Sequence, residues 1–195
     1  MRKYKGIYFF VILFLAIILL WCGYLFISQP SSAEWKRLEN PTADDLNWLN
    51  QVSPLMAQWM GKQEAVLATQ GKSLTMEEMK IAQEIGVASP EKVRVLIINP
   101  IPSPQDSELS GAGGIFQPDS LSEAGGLTLG YLILIHPKYE KEKWILAHEL
   151  VHVRQQEKMG KEAFCRRYLL ELRTVGYQYS PLEVEAEKIM KKYEK

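Results

Sequence analysis

The chain has 195 residues, with 23 basic and 23 acidic side chains and a formal charge of zero. That length holds one ordinary domain and something smaller, and excludes two large catalytic domains. The balanced charge gives no electrostatic reason to expect nucleic acid as a partner.

Residues 7–27 read IYFFVILFLAIILLWCGYLFI with no charge, matching the ~20 residues that a helix needs to cross a bilayer core. Arg2, Lys3 and Lys5 precede this run, and the next basic residue is Lys36. The positive-inside rule therefore predicts a single-pass anchor with a cytoplasmic N-terminus and an extracytoplasmic remainder, as in a bacterial envelope protein. The run is longer than the ~7–15 apolar residues of a signal peptide, which favours an uncleaved anchor. Cys22 lies within it as a small apolar filler, too far from Cys165 in kind and place to predict a disulfide.

The chain divides into a stub and anchor over 1–28, a helical extracytoplasmic region over 29–90 and a core over 91–195. Ser31 and Ser32 are N-cap candidates for a helix beginning near Ala33. Apolar residues from Leu46 to Met60 recur at three- and four-residue steps, predicting a helix or helix pair over 42–70 with a kink near Pro54. T-M-E-E at Thr75 is a capping-box pattern opening a helix that stops at Gly86. The Trp and Met residues at helical spacing here read as packing.

VRVLIIN from Val93 predicts a buried strand, and a Pro, Ser and Gly-rich loop follows over 101–113. Short and long strands are expected at 113–116 and 126–136, the second closed by Pro137. Residues 127–135 are a candidate edge on which an extended peptide lies, a hypothesis that pairing on both sides overturns. His136, at the strand end, reads as structural. Helices follow after Glu140, over 161–175 with Cys165 half buried, and from Ser180 and Pro181. The expected fold class is α+β: a transmembrane helix, a helical juxtamembrane region, then a small sheet packed with two motif-bearing helices.

His148, Glu149 and His152 form H-E-x-x-H. On a helix the i, i+4 spacing sets both imidazoles on one face, where they can hold a single Zn²⁺. Glu149 is placed to reach a zinc-bound water and act as general base. Two of the three histidines of the chain fall in this motif. A catalytic zinc takes three protein ligands, and no His follows His152, so the third must be a carboxylate. Glu183, Glu185 and Glu187 open the last helix. Tyr177 is a candidate hydrogen-bond donor to an oxyanion, against a plain packing role.

H-E-L-V-H, followed by Glu183 and Ala186 in an E-x-x-A-[DE] pattern, resembles the gluzincins, including CAAX-prenyl-type peptidases and small bacterial minigluzincin-like proteins. The resemblance covers residues 93–195. It implies a zincin-like fold with Glu183 as third ligand, Glu187 orienting a ligand histidine, and Glu185 as a solvated carboxylate. The expected function is a zinc-dependent, membrane-anchored metalloendopeptidase acting on a peptide or protein substrate. The alternatives are a catalytically silent binding or sensor module with a structural zinc, and an envelope amidase.

Overall fold

A computed structural model describes residues 29–104 and 125–194. The expected anchor over 7–27, the short strand at 113–116 and Cys22 lie outside them. Among the described residues no helix is long and apolar enough to cross a membrane.

The helical region opens with α1 (Ser32–Glu39) and α2 (Ala43–Leu67). Ser31 and Thr42 each close a capping box with an acidic N3 residue, Glu34 and Asp45, so both helices begin where side chains satisfy otherwise orphaned amides. Pro54 sits inside α2, yet the segment forms one continuous helix of 25 residues rather than a pair. Thr75 caps α3 (Met76–Ile85) with Glu78 at N3, and Gly86 ends it at φ 90°, a conformation that favours glycine. The last three helices are α4 (Lys143–Met159), α5 (Lys161–Thr174) and α6 (Pro181–Met190).

The α+β expectation is corrected here: 68% of the described residues are helical, so the fold is a helical assembly carrying a small sheet. Its strands are β1 (Lys72–Ser73), β2 (Arg94–Ile97), β3 (Gly126–Leu129) and β4 (Leu132–Ile135), in the order β1-β2-β4-β3. β2 and β4 run parallel, and the outer pairs are antiparallel. The long strand expected over 126–136 is two strands. Leu129 pairs with Leu132 across a two-residue turn, and Gly130 takes φ 68° to make it. An added Cβ at Gly130 would lie 2.3 Å from a Glu64 carboxylate oxygen, the same carboxylate that accepts from Tyr131 N at 2.8 Å and pairs with Lys161. The turn is thus locked to α2 and α5. Strand β2 is half buried rather than fully so.

Alternation along the strands divides the core in two. Leu129, Leu132 and Leu134 face α2 and α5, against Leu49, Met56, Met60, Phe164 and Leu169. Ile133 and Ile135 face the other way, against Ile81, Ala82, Leu146, Leu150 and Val151 of α3 and α4. Helix α4 packs most extensively on α6 and next on β3. That wedge position buries residues 145–153 on every side of the helix.

Candidate metal centre

His148 and His152 project from one face of α4 towards α6, where Glu183 meets them from the first turn. The two Nε2 atoms are 3.1 Å apart. Glu183 Oε2 lies 3.2 Å from His148 Nε2, and Oε1 lies 3.5 Å from His152 Nε2. Donors bound to one tetrahedral zinc at about 2.0–2.1 Å are separated by about 3.3 Å. The spacings are of that size, with Glu183 presenting a different carboxylate oxygen to each imidazole. His148 and His152 are 7% exposed, Glu149 4% and Glu183 2%. Glu183 Oε2 is buried without a hydrogen bond, a costly state for a carboxylate unless a cation completes it.

The electrostatics agree with the geometry. Burial disfavours a charged His152, but Glu183 beside it outweighs that and raises its pKa to about 9. Burial likewise opposes ionisation of Glu183, and the two histidines reverse it, holding its pKa well below the usual carboxylate range. The site therefore demands one positive charge between three donors, which a proton or a metal ion can supply.

Glu183 owes its place to a carboxylate on α5. Glu171 is fully buried and accepts from Ser180 Oγ at 2.5 Å, Leu182 N at 3.0 Å and Arg167 Nε. Ser180 Oγ in turn accepts from Glu183 N. The first turn of α6 is thus pinned to α5, and the sequence reading assigned Glu171 no part in it.

Glu149 points to the sheet instead of to Glu183. Its Oε2 accepts from Thr128 Oγ1 at 2.7 Å. Its Oε1 packs on Gly126, where an added Cβ would stand 2.7 Å away. One carboxylate oxygen is held, and the other has no hydrogen bond among the described residues. Thr128 and Gly126 were legible as strand residues only, since nothing in their local pattern marks a partner 21 or 23 positions on.

The secondary contacts of the ligands differ from expectation. No hydrogen bond joins Glu187 to either histidine. Instead His152 Nδ1 meets Gln155 Oε1 at 2.8 Å, and Gln155 Nε2 reaches Leu182 O at 3.0 Å and Glu185 Oε2 at 2.8 Å. Glu185 also pairs with Arg154 at 2.7 Å, so it is an engaged carboxylate rather than a merely solvated one.

Two tyrosines border the centre. Tyr177 is 52% exposed, yet its phenol pKa is pushed upward first by burial and then by Glu183. Tyr168 was not singled out from sequence. Its pKa is also raised, by burial and then Glu183, and its ring stacks on Phe164 and meets His152 edge-on.

His136 stands apart, accepting from Lys138 N in a local turn. Cys165 is fully rather than half buried, beside Met60 Sδ at 3.3 Å, and burial pushes its thiol up to about 12. Among the described residues, His148, His152 and Glu183 are the one group of three or more acidic, His or Cys side chains placed to hold an ion.

The hypothesis of a peptide lying along 127–135 is overturned for β4, which is paired on both sides by β2 and β3. Among the described residues, strand β3 occupies the sheet edge, beside Glu149.

No family model, curated protein or solved structure matches this chain. The resemblance to gluzincins accordingly rests on the motif residues alone, and the chemistry must be argued from the centre itself.

Proposed function

We propose that this chain is a zinc-dependent hydrolase of amide bonds, with a peptide as the substrate class. The observation that carries the reading is the triangle of His148 Nε2, His152 Nε2 and Glu183 carboxylate oxygens at 3.1, 3.2 and 3.5 Å. Zn²⁺ held there supplies Lewis acidity and a water whose pKa falls towards about 7. Every other role belongs to the chain. Glu149, anchored by Thr128 through one oxygen, takes the proton of the attacking water on the other. It then delivers that proton to the leaving nitrogen as the C–N bond breaks. Tyr177, half exposed and close enough to Glu183 for that carboxylate to raise its phenol pKa, would donate a hydrogen bond to the oxyanion. The outer edge of β3, where Thr128 O already accepts from Gln156 Nε2, would offer its remaining main-chain groups to an extended substrate added as a strand.

A purely structural zinc takes four protein ligands. Among the described residues only three candidate donors converge, while a carboxylate that binds no partner but Thr128 stands beside them. That combination favours catalysis over a silent binding module.

The test is the full chain loaded with zinc, assayed on a mixed peptide library beside Glu149→Gln. The expected result is cleavage by the unmodified chain and a loss of about 10²–10⁴-fold in the variant, the contribution of a positioned acid–base, with zinc content unchanged. Turnover retained in Glu149→Gln refutes the base assignment, and zinc binding without any turnover by the unmodified chain favours the structural role.

A further inference from the structure

The centre has a feature that neither the motif nor the ligand triangle explains. A histidine serves as a metal ligand through Nε2 only if that nitrogen carries a lone pair, which requires the neutral ring to keep its proton on Nδ1. Something must select that tautomer in His152, whose ring is buried.

Gln155, three residues on and on the same helix face, is 3% exposed and makes contacts with both α4 and α6. One end of its amide lies against Leu182 O and Glu185 Oε2, at 3.0 and 2.8 Å. Both of those atoms are acceptors, so the amide NH₂ must face them. The opposite orientation would set an oxygen against two oxygens. The amide carbonyl is thereby turned onto His152 Nδ1 at 2.8 Å, and a carbonyl only accepts. Nδ1 must donate, and Nε2 is left as the lone pair facing His148 and Glu183.

The orientation is supported one step further out. Glu185 is half exposed and would swing freely as a lone surface carboxylate. Its other oxygen is ion-paired with Arg154 NH2 at 2.7 Å, while Arg154 NH1 donates to Ile85 O at the end of α3. The acceptor that fixes Gln155 is thus itself fixed, by the terminus of a separate helix.

We infer that Gln155 is a positioning residue that holds His152 in its metal-binding tautomer, its amide set by Leu182 O and by Glu185, which Arg154 anchors. This rests on the proposed metal centre and adds to it a determinant of affinity that binds no metal. Partners of this kind on ligand histidines are worth about 10- to 100-fold in metal affinity.

The experiment uses the full chain and zinc alone. Zinc affinity is measured by competition with a chromogenic chelator, and the His152 ring nitrogens of the zinc-loaded protein are read by long-range proton–nitrogen NMR. Gln155→Leu is expected to bind zinc about 10- to 100-fold more weakly and to lose the Nδ1–H signature. In the double variant Gln155→Glu with Glu185→Gln, donor and acceptor exchange across that pair and an acceptor stays on His152, although Leu182 O then faces an oxygen. It is expected to keep the Nδ1–H signature that the leucine variant loses. Melting of the zinc-free chain is followed in parallel, because a residue that merely ties α4 to α6 moves that temperature and leaves the ring signature unchanged. Equal zinc affinity in Gln155→Leu, or loss of the Nδ1–H signature in the double variant, overturns this inference alone. No zinc binding by the unmodified chain overturns the inference together with the metal centre.

Discussion

Replacing Glu183 by alanine removes one of three donors whose spacings define the candidate centre. Zinc sites contribute about 10–16 kcal/mol in all. Shared over four coordination positions, that is about 3 kcal/mol per donor, or on the order of 10²-fold in affinity. The consequence can be read without knowing a substrate. At zinc a hundred times its dissociation constant, binding to the folded state alone stabilises by about 2.7 kcal/mol. A domain of this size gains about 2–4 °C in melting temperature per kcal/mol, so the unmodified chain should melt about 5–11 °C higher with zinc than with a chelator. In Glu183→Ala the same zinc concentration only matches the weakened dissociation constant, which leaves about 0.4 kcal/mol and a shift of 1–2 °C or so. Glu149→Gln keeps all three donors and should retain the full shift. The assay is differential scanning fluorimetry of the three proteins with zinc and with chelator. A zinc-dependent rise in Glu183→Ala equal to that of the unmodified chain refutes the assignment of Glu183, and no rise in any of them refutes the centre.

Gly126→Ala tests how the base is held. The added methyl would stand 2.7 Å from Glu149 Oε1 and 2.9 Å from Cγ and Cδ, well inside van der Waals contact, so the carboxylate must leave Thr128. The expected outcome is unchanged zinc stoichiometry with turnover reduced by about 10²-fold or more and stability lower by about 1–3 kcal/mol; normal turnover would show that Glu149 tolerates displacement. Asp45 tests the helical region. It is fully buried, accepts from Arg37, Thr42 and Arg173, and its pKa is held far below the ordinary value of 3.8, by Arg37 foremost. A lowered folded-state pKa stabilises above the ordinary value and is lost as pH falls below it. Denaturant midpoints of the unmodified chain should therefore drop steeply below about pH 4. Asp45→Asn should be destabilised by about 2–3 kcal/mol at neutral pH and respond less to acid, and parallel acid profiles would refute the role of Asp45.

What could be read from the chain itself was whatever is encoded within one or two turns. Ser31, Thr42 and Thr75 cap their helices because a cap and its N3 partner are three residues apart. The H-E-x-x-H pair shares a face because helical periodicity alone brings His148 above His152. Glu183 was picked out by a second local pattern, although the sequence provides no distance between that pattern and the first.

Only tertiary structure decided the rest. Gly130 lies in an apolar run that reads as one strand, and the chain reverses there because a carboxylate 66 residues earlier, Glu64, accepts from Tyr131 N. The one long strand expected there is thereby two short ones. The resemblance favoured Glu187 over Glu185 as the support of a ligand histidine and the structure instead engages Glu185 through Gln155, because which of two neighbouring carboxylates meets α4 depends on the rotation of α6. That rotation is set by Glu171, buried on α5 and bonded to Ser180 and Leu182. A side chain three residues away can be foreseen from the geometry of a helix, but a partner on another helix exists only once both are packed.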